Sequence, residues 1–300
     1  VREACVDEVV VRRRGMAATA GLVSRRMGLR RTGFGSRHVS YEDWHAFGSE
    51  AGGAEAVPCR DDPVERMRAL KCRQEVEAIA GAVRVAQTAF RRFLAQVEPG
   101  RTEKWLAGRL EWEMVEAGAE GAAFQTICAV DERASLPHAV PTGRRVGPDS
   151  ALLVDWGARC GGYACDLTRV VATGKIPSHV ERLTQLVVAA QEAAFERMAP
   201  GVRCAEVDHA ARSVVLRAGY GAYFGHGLGH GVGLGVHEAP RLGAGETELL
   251  LPGMVVTVEP GVYLPGRGGV RIEDVVLITK DGHELLSSLS RGPGDPQEVL

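Results

Sequence analysis

The chain has 300 residues, of which 45% are hydrophobic and 25% charged, and a formal net charge of -2. That is enough for a substantial core in one large domain or two smaller ones, with the make-up of an ordinary globular protein. So small a charge offers no electrostatic case for nucleic acid or an anionic membrane as partner, and no apolar run approaches the roughly 18 residues of a membrane span.

Residues 1–62 are rich in Arg and Gly and poor in apolar periodicity. Their basic runs, Arg12-Arg13-Arg14 and Arg25-Arg26, read as solvated surface. Ser40-Tyr41-Glu42-Asp43 predicts a capped short helix. Ala51-Gly52-Gly53-Ala54 and Val57-Pro58 read as linker. The chain starts at Val1 rather than Met, as a fragment or processed form does, and no apolar segment with a cleavage site marks a signal peptide. The cysteines, Cys5, Cys59, Cys72, Cys128, Cys160, Cys165 and Cys204, are odd in number, scattered and free of C-x-x-C, which predicts reduced thiols and a cytoplasmic location.

From Pro63 the pattern tightens. Val76, Ile79, Val83, Phe90, Leu94 and Val97 recur at helical spacing until Pro99-Gly100 ends the run. A second helix fits Thr102 to Ala117. Residues 122–130 and 150–172 have strand character, with Ala151-Leu152-Leu153-Val154 as a buried strand. Ser178-His179-Val180-Glu181 reads as a capping box opening a helix that stops at Pro200-Gly201. A further helix covers about 205–218. Residues 253–279 return to strands, with Asp281-Gly282 as a hairpin turn, and the tail from Gly292 reads as loose.

A faint repeat runs through this part. Pro99-Gly100 with its helix ending Ala117-Gly118 recurs as Pro200-Gly201 with a helix ending Ala218-Gly219, and PDSALLVDWG (148–157) lines up with PGMVVTVEPG (252–261). Two helix-plus-strand halves predict a pseudo-symmetric α/β domain.

The halves also match in acids. Asp155 ends one apolar strand and Glu259 another; Asp166 precedes Val170-Val171, and Glu273 precedes Val275-Val276. A carboxylate there costs several kcal/mol unless it is paired or bound to a metal. Salt bridges, Asp166 to Arg169 and Glu273 to Arg271, explain single acids more simply than four at matched places.

Between the halves lies GHGLGHGVGLGVHE (225–238), with His226, His230 and His237. It holds neither G-x-G-x-x-G nor a phosphate-loop lysine, and His237-Glu238 lacks the second histidine of H-E-x-x-H. In extended chain, His226 and His230 stand about 13 Å apart, and His237 has the opposite strand parity. One of the three is then a metal ligand, and the others address substrate or brace the ligands. One histidine and four carboxylates form a hard, oxygen-rich set, suited to manganese, cobalt, iron or zinc. They balance two divalent ions, which supports hydrolytic chemistry.

His226-x-x-x-His230, His237-Glu238-x-Pro240, Val258-Glu259-Pro260-Gly261, Ile272-Glu273-Asp274-Val275, and Asp155 followed by Asp166 in Asp-x-Thr-Arg resemble the pita-bread metallopeptidases over about residues 64–290. Within them the chain resembles the Xaa-Pro aminopeptidase (aminopeptidase P) and prolidase branch; His226, Arg271 and Asp274 set it apart from methionine aminopeptidases. The resemblance implies an α+β pita-bread fold, two pseudo-symmetric halves around a curved, mostly antiparallel sheet, holding two divalent metals, Mn2+ foremost. Asp155 would bind one metal; His230 and Glu259 the other; Asp166 and Glu273 both. Glu259 would also pass protons, His237 would hold the carbonyl or oxyanion, and His138 and His226 would line the substrate site. Thr168 and Arg271 would support the ligands. The implied substrate is a peptide with proline at its second position, cut as an aminopeptidase or, alternatively, as a dipeptide-only prolidase. Residues 1–62 resemble only the last part of the N-terminal domain through which family members dimerise; 63–291 would be the catalytic domain and 292–300 a flexible tail. Cys165, beside Asp166, reads as a small core residue.

Overall fold

The computed structural model describes residues 15–35, 39–59 and 62–292. The run Arg12-Arg13-Arg14 and the tail beyond Gly292 lie outside them. The chain forms two compact units, Val1–Arg66 and Met67–Leu300.

In the first unit, α1 (Met16–Arg26) and α2 (Tyr41–Glu50) accompany β1 (Arg31–Gly35) and β2 (Glu55–Cys59). Ser40 caps α2 as predicted, its hydroxyl accepting from the Asp43 N–H at 3.0 Å. The linker reading at Val57-Pro58 is corrected: this segment is β2, paired in parallel with β1 from Arg31↔Glu55 to Gly35↔Cys59. Helix α3 (Pro63–Ala69) follows.

The second unit opens with α4 (Arg73–Leu94) and α5 (Glu103–Glu116). Ile79, Val83 and Phe90 of α4 are buried, as their spacing requires. Next come β3 (Gly121–Ala122), β4 (Ile127–Val130), β5 (Ala151–Trp156), β6 (Ala158–Cys160), β7 (Tyr163–Ala164) and β8 (Leu167–Ala172). Helices α6 (Ser178–Arg197) and α7 (Cys204–Arg217) open the second half. It continues with β9 (Gly229–Gly231), β10 (Glu238–Leu242), β11 (Val255–Val258), β12 (Gly261–Leu264), β13 (Gly268–Arg271), β14 (Asp274–Ile278) and β15 (His283–Leu285). The expected capping box at Ser178 is not formed: Pro177 takes the N-cap position, and no side chain caps the helix. Asp281-Gly282 does join an antiparallel pair, β14 and β15.

The repeat becomes a structural correspondence. One sheet runs β4-β5-β8, with β5 central; the other runs β10-β9-β11-β14-β15, with β11 between β9 and β14. Helices α4 and α5 join one apolar core and α6 and α7 another. Strand β11 feeds both, with Val256 and Val258 in the second core and Val255 in the first. Burial on both faces is why these strands read as unbroken apolar runs rather than alternating ones. The sheets meet at one antiparallel bridge, Thr168↔Glu273.

Candidate metal centre

The matched strand ends converge. Asp155 lies near the end of β5, paired with Ile127 on one side and Thr168 on the other. Asp166 immediately precedes β8, Glu259 follows β11 and Glu273 precedes β14. Donor atoms of Asp155, Asp166 and Glu273 lie within 4.8 Å of one another, as do those of His230, Glu259 and Glu273, and those of Asp166, His230 and His237. Glu273 belongs to two of these groups, as does Asp166.

The electrostatics are those of a site built for cations. Asp155 Oδ1, Asp166 Oδ1 and Glu273 Oε1 are buried and have no hydrogen-bond partner. Burial, and then the neighbouring carboxylates, hold the Asp166 and Glu273 carboxyls well above the usual range. Burial pushes Glu259 up to about 8. His230 is held neutral, its basicity lowered to about 4 by burial. Its Nδ1 lies 3.0 Å from the Gly231 carbonyl oxygen and so carries the proton. Its Nε2 then turns a lone pair toward Asp166 Oδ2 at 3.6 Å and Glu259 Oε1 at 3.4 Å. A divalent cation would satisfy lone pairs that converge in this way. The donors fit a two-metal group.

The simple salt-bridge alternative fails. Arg169 does not pair with Asp166; it pairs with Asp274 at 2.6 Å and donates to the Glu273 backbone carbonyl. Arg271 does not pair with Glu273; it reaches Asp155 Oδ2 at 2.5 Å and donates from Nε to Thr168 Oγ1 at 3.1 Å. Thr168 Oγ1 in turn donates to Glu273 Oε2 at 2.7 Å.

The histidines sort by position. His226 lies outside β9, its ring lowered to about 4 mainly by burial. Its Nδ1 faces the Gly227 carbonyl at 2.7 Å, so its Nε2 accepts from the Tyr263 hydroxyl at 2.9 Å. Tyr263 itself accepts from Arg271 Nη1 at 2.8 Å. A chain thus runs His226–Tyr263–Arg271–Asp155. Tyr263 was not singled out in the sequence, where an aromatic in an apolar strand reads as core. The parity argument for His237 fails because residues 232–237 are not extended. The chain bends back so that Glu238 pairs with Gly231, which brings the His237 ring to 4.3 Å from that of His230. His138 is exposed, on the loop after the 3-10 turn Asp131–Ser135.

Gly227, Gly229, Gly231 and Gly233 serve close approach rather than an unusual backbone conformation: none of them has a positive φ. A Cβ on Gly229 would strike the Thr257 carbonyl, and one on Gly231 the Ala239 carbonyl. Cys165 is buried, its thiol accepting from the Ala158 N–H and pushed up by burial, so it stays protonated and inert.

Residues 77–280 match metallopeptidase family M24. The chain is 39% identical over 231 residues to an Xaa-Pro dipeptidase of Pyrococcus horikoshii, covering 77% of this chain and 66% of that protein. An Xaa-Pro dipeptidase from Bacillus anthracis superposes with TM-score 0.92 at 32% identity, over 98% of this chain and 82% of its own. An X-Pro aminopeptidase from Thermotoga maritima superposes with TM-score 0.85 at 34% identity, over 95% and 80%. The pita-bread α+β fold expected from the sequence is the fold present. Among the described residues, no helix is long and apolar enough to cross a membrane.

Proposed function

As this chain belongs to metallopeptidase family M24, we propose that it hydrolyses the bond between an N-terminal residue and a following proline, using two divalent metal ions. Residues 63–291 would be the catalytic part, and 1–62 would correspond to the last part of a dimer-forming domain. The observation that carries the reading is the trio of buried carboxylate oxygens without partners on Asp155, Asp166 and Glu273. Asp155 would hold one metal, His230 and Glu259 the other, and Asp166 and Glu273 both. Manganese is our choice for this oxygen-rich set, ahead of cobalt, iron and zinc. When bound, the metals supply Lewis acidity toward the scissile carbonyl and toward water.

The chain's own residues do the rest. Glu259, once ionised beside the metals, would take a proton from the attacking water and return it to the departing proline nitrogen. His237 is exposed beside His230, so its ring can donate to the oxygen that gains charge. His226, kept neutral and oriented by Tyr263, and His138 would bind the peptide. Thr168 and Arg271 hold Glu273 and Asp155 in orientation.

Our lead is the aminopeptidase form, which accepts peptides extending beyond the proline. Arg271 is engaged by Asp155, Thr168, Tyr263 and the Pro137 carbonyl, and so is poorly placed to grip a terminal proline carboxylate. The names of the Pyrococcus horikoshii and Bacillus anthracis relatives favour a second reading, an Xaa-Pro dipeptidase. An assay of Xaa-Pro, Xaa-Pro-Xaa and Met-Ala-Xaa with manganese separates them. Tripeptide cleavage supports the lead, dipeptide-only cleavage selects the second reading, and cleavage of Met-Ala-Xaa alone contradicts both.

A further inference from the structure

Each of the three histidines assigned to the substrate lies on a stretch without a ladder of its own. Ordering a loop costs backbone entropy at every residue, so something must hold these stretches in place. Behind each one stands a buried carboxylate that the proposed chemistry does not use.

Glu103, the first residue of α5, is fully buried. Its carboxylate accepts from the Val130 N–H at 2.9 Å and the Thr142 N–H at 2.8 Å, the two ends of the His138 loop. It also accepts from Arg133 Nε at 2.9 Å, and Arg133 Nη2 donates to the Val140 carbonyl inside the loop. Asp208, on α7, is 1% exposed. It accepts from Arg212 Nε at 2.8 Å and Nη2 at 2.7 Å, and from the Leu228 N–H at 3.1 Å. Arg212 donates onward to the carbonyls of Phe224 and His226 itself. Glu238, next to His237, accepts from Arg68 Nη2 at 2.5 Å, Lys71 Nζ at 3.1 Å and the Gly235 N–H at 2.8 Å.

The arrangement repeats. One acid, one arginine and at least one loop amide recur three times, once per histidine. Helices α5 and α7 are the counterparts that follow Pro99-Gly100 and Pro200-Gly201 in the two halves. None of the three acids belongs to the groups of converging metal-type donors.

We propose that Glu103, Asp208 and Glu238 are positioning residues, each fixing one substrate histidine (His138, His226 and His237 respectively) through its loop. The proposal rests on the peptidase reading for what the histidines do, but not for how their loops are held. Removing one partner of such a pair leaves an uncompensated buried charge, so the pair resists displacement of the loop it holds. Small displacements of such groups cost up to about 100-fold in rate.

The test uses Glu103→Gln, Asp208→Asn and Glu238→Gln in the full chain, with Arg133→Lys, Arg212→Lys and Arg68→Lys as milder variants should a buried amide prevent folding. Amide hydrogen exchange is read by peptide segment. Each variant should raise exchange in its own loop (130–142, 224–228 or 233–238) and leave the other two protected, with metal content unchanged. In the active enzyme, each should lower kcat by about 10–100-fold. That loss should be non-additive with alanine at its own histidine and additive with alanine at the other two. Exchange unchanged in the matching loop overturns the proposal, as does additivity with the matching histidine. If the unaltered chain cleaves no Xaa-Pro peptide while exchange still rises loop by loop, the positioning stands and the peptidase reading falls.

Discussion

Thr168 and Glu273 stitch the two halves together twice: the Thr168 hydroxyl donates to the Glu273 carboxylate at 2.7 Å, and the Glu273 N–H donates to the Thr168 carbonyl at 3.1 Å. The same hydroxyl accepts from Arg271, which reaches across to Asp155. One side chain therefore orients acids from both halves. Thr168→Val keeps the shape and removes the hydroxyl. It should weaken metal binding by about 10–100-fold, whereas Thr168→Ser should stay near the parent, as measured by metal titration of the stripped protein. Equal losses in the two variants would show that shape rather than the hydroxyl matters.

His230→Ala and His226→Ala should divide by readout. The first removes a donor that faces Asp166 and Glu259 and should abolish binding of at least one metal. The second should leave metal content intact and slow turnover. Tyr263→Phe breaks the contact that orients His226, so it should follow His226→Ala, with kcat lowered about tenfold or more. Elemental analysis beside steady-state kinetics distinguishes the variants, and equal metal loss in all three would refute the division.

The metal-free protein should lose stability as pH rises from about 7 to about 8 and change little above that. Burial raises Glu259 to about 8, above its ordinary value. The folded state therefore holds a proton that the unfolded state has already released, so stability falls with rising pH until the folded carboxyl ionises at about 8, where the loss is complete. His226 and His230, lowered to about 4, are neutral in the folded state throughout that window. The loss should be on the order of 1 kcal/mol. Metal-loaded protein should be nearly flat over the same range, since bound cations take the proton's place. Thermal unfolding with and without chelator gives the comparison; parallel curves would contradict it.

Gly229→Ala should destabilise the chain by about 1–3 kcal/mol, because its new methyl group meets the Thr257 carbonyl in a packed sheet. Thr257 Oγ1 also accepts from the His230 N–H, so the shift should reach the centre and weaken metal binding. A thermal unfolding midpoint equal to the parent's would mean that the neighbouring strands separate at no cost.

Much of the second unit is legible in the sequence because its signals are local. Helices α4 to α7 show spacing and stops, and an acid beside an apolar strand stands out at Asp155 and Glu259. The repeat is legible because both halves need the same turn glycines: Gly100 and Gly201 have φ of 91° and 84°. Apart from the capping box at Ser178, where the helix begins after Pro177 instead, what failed was non-local or assumed a regular chain. Strand β2 forms on a partner 24 residues upstream, at Arg31↔Glu55, and its Pro58 and the preceding Gly52-Gly53 disguise it. The parity of His237 assumed an extended chain where the backbone doubles back. Glu238 stands in the His237-Glu238-x-Pro240 motif, but its tethers to Arg68 and Lys71 are not legible there, since residues about 170 positions apart carry no joint signal.

The central claim is that hydrolysis of an Xaa-Pro bond depends on ions held by the two halves together. Its most direct test is to strip the protein, restore manganese stepwise, and follow bound metal and release of the N-terminal residue from Xaa-Pro-Xaa in one titration. Bound metal should saturate at about two ions per chain, with hydrolysis rising alongside it and absent without metal. Hydrolysis that persists in stripped protein, or a folded, metal-saturated chain that releases nothing, would contradict the account.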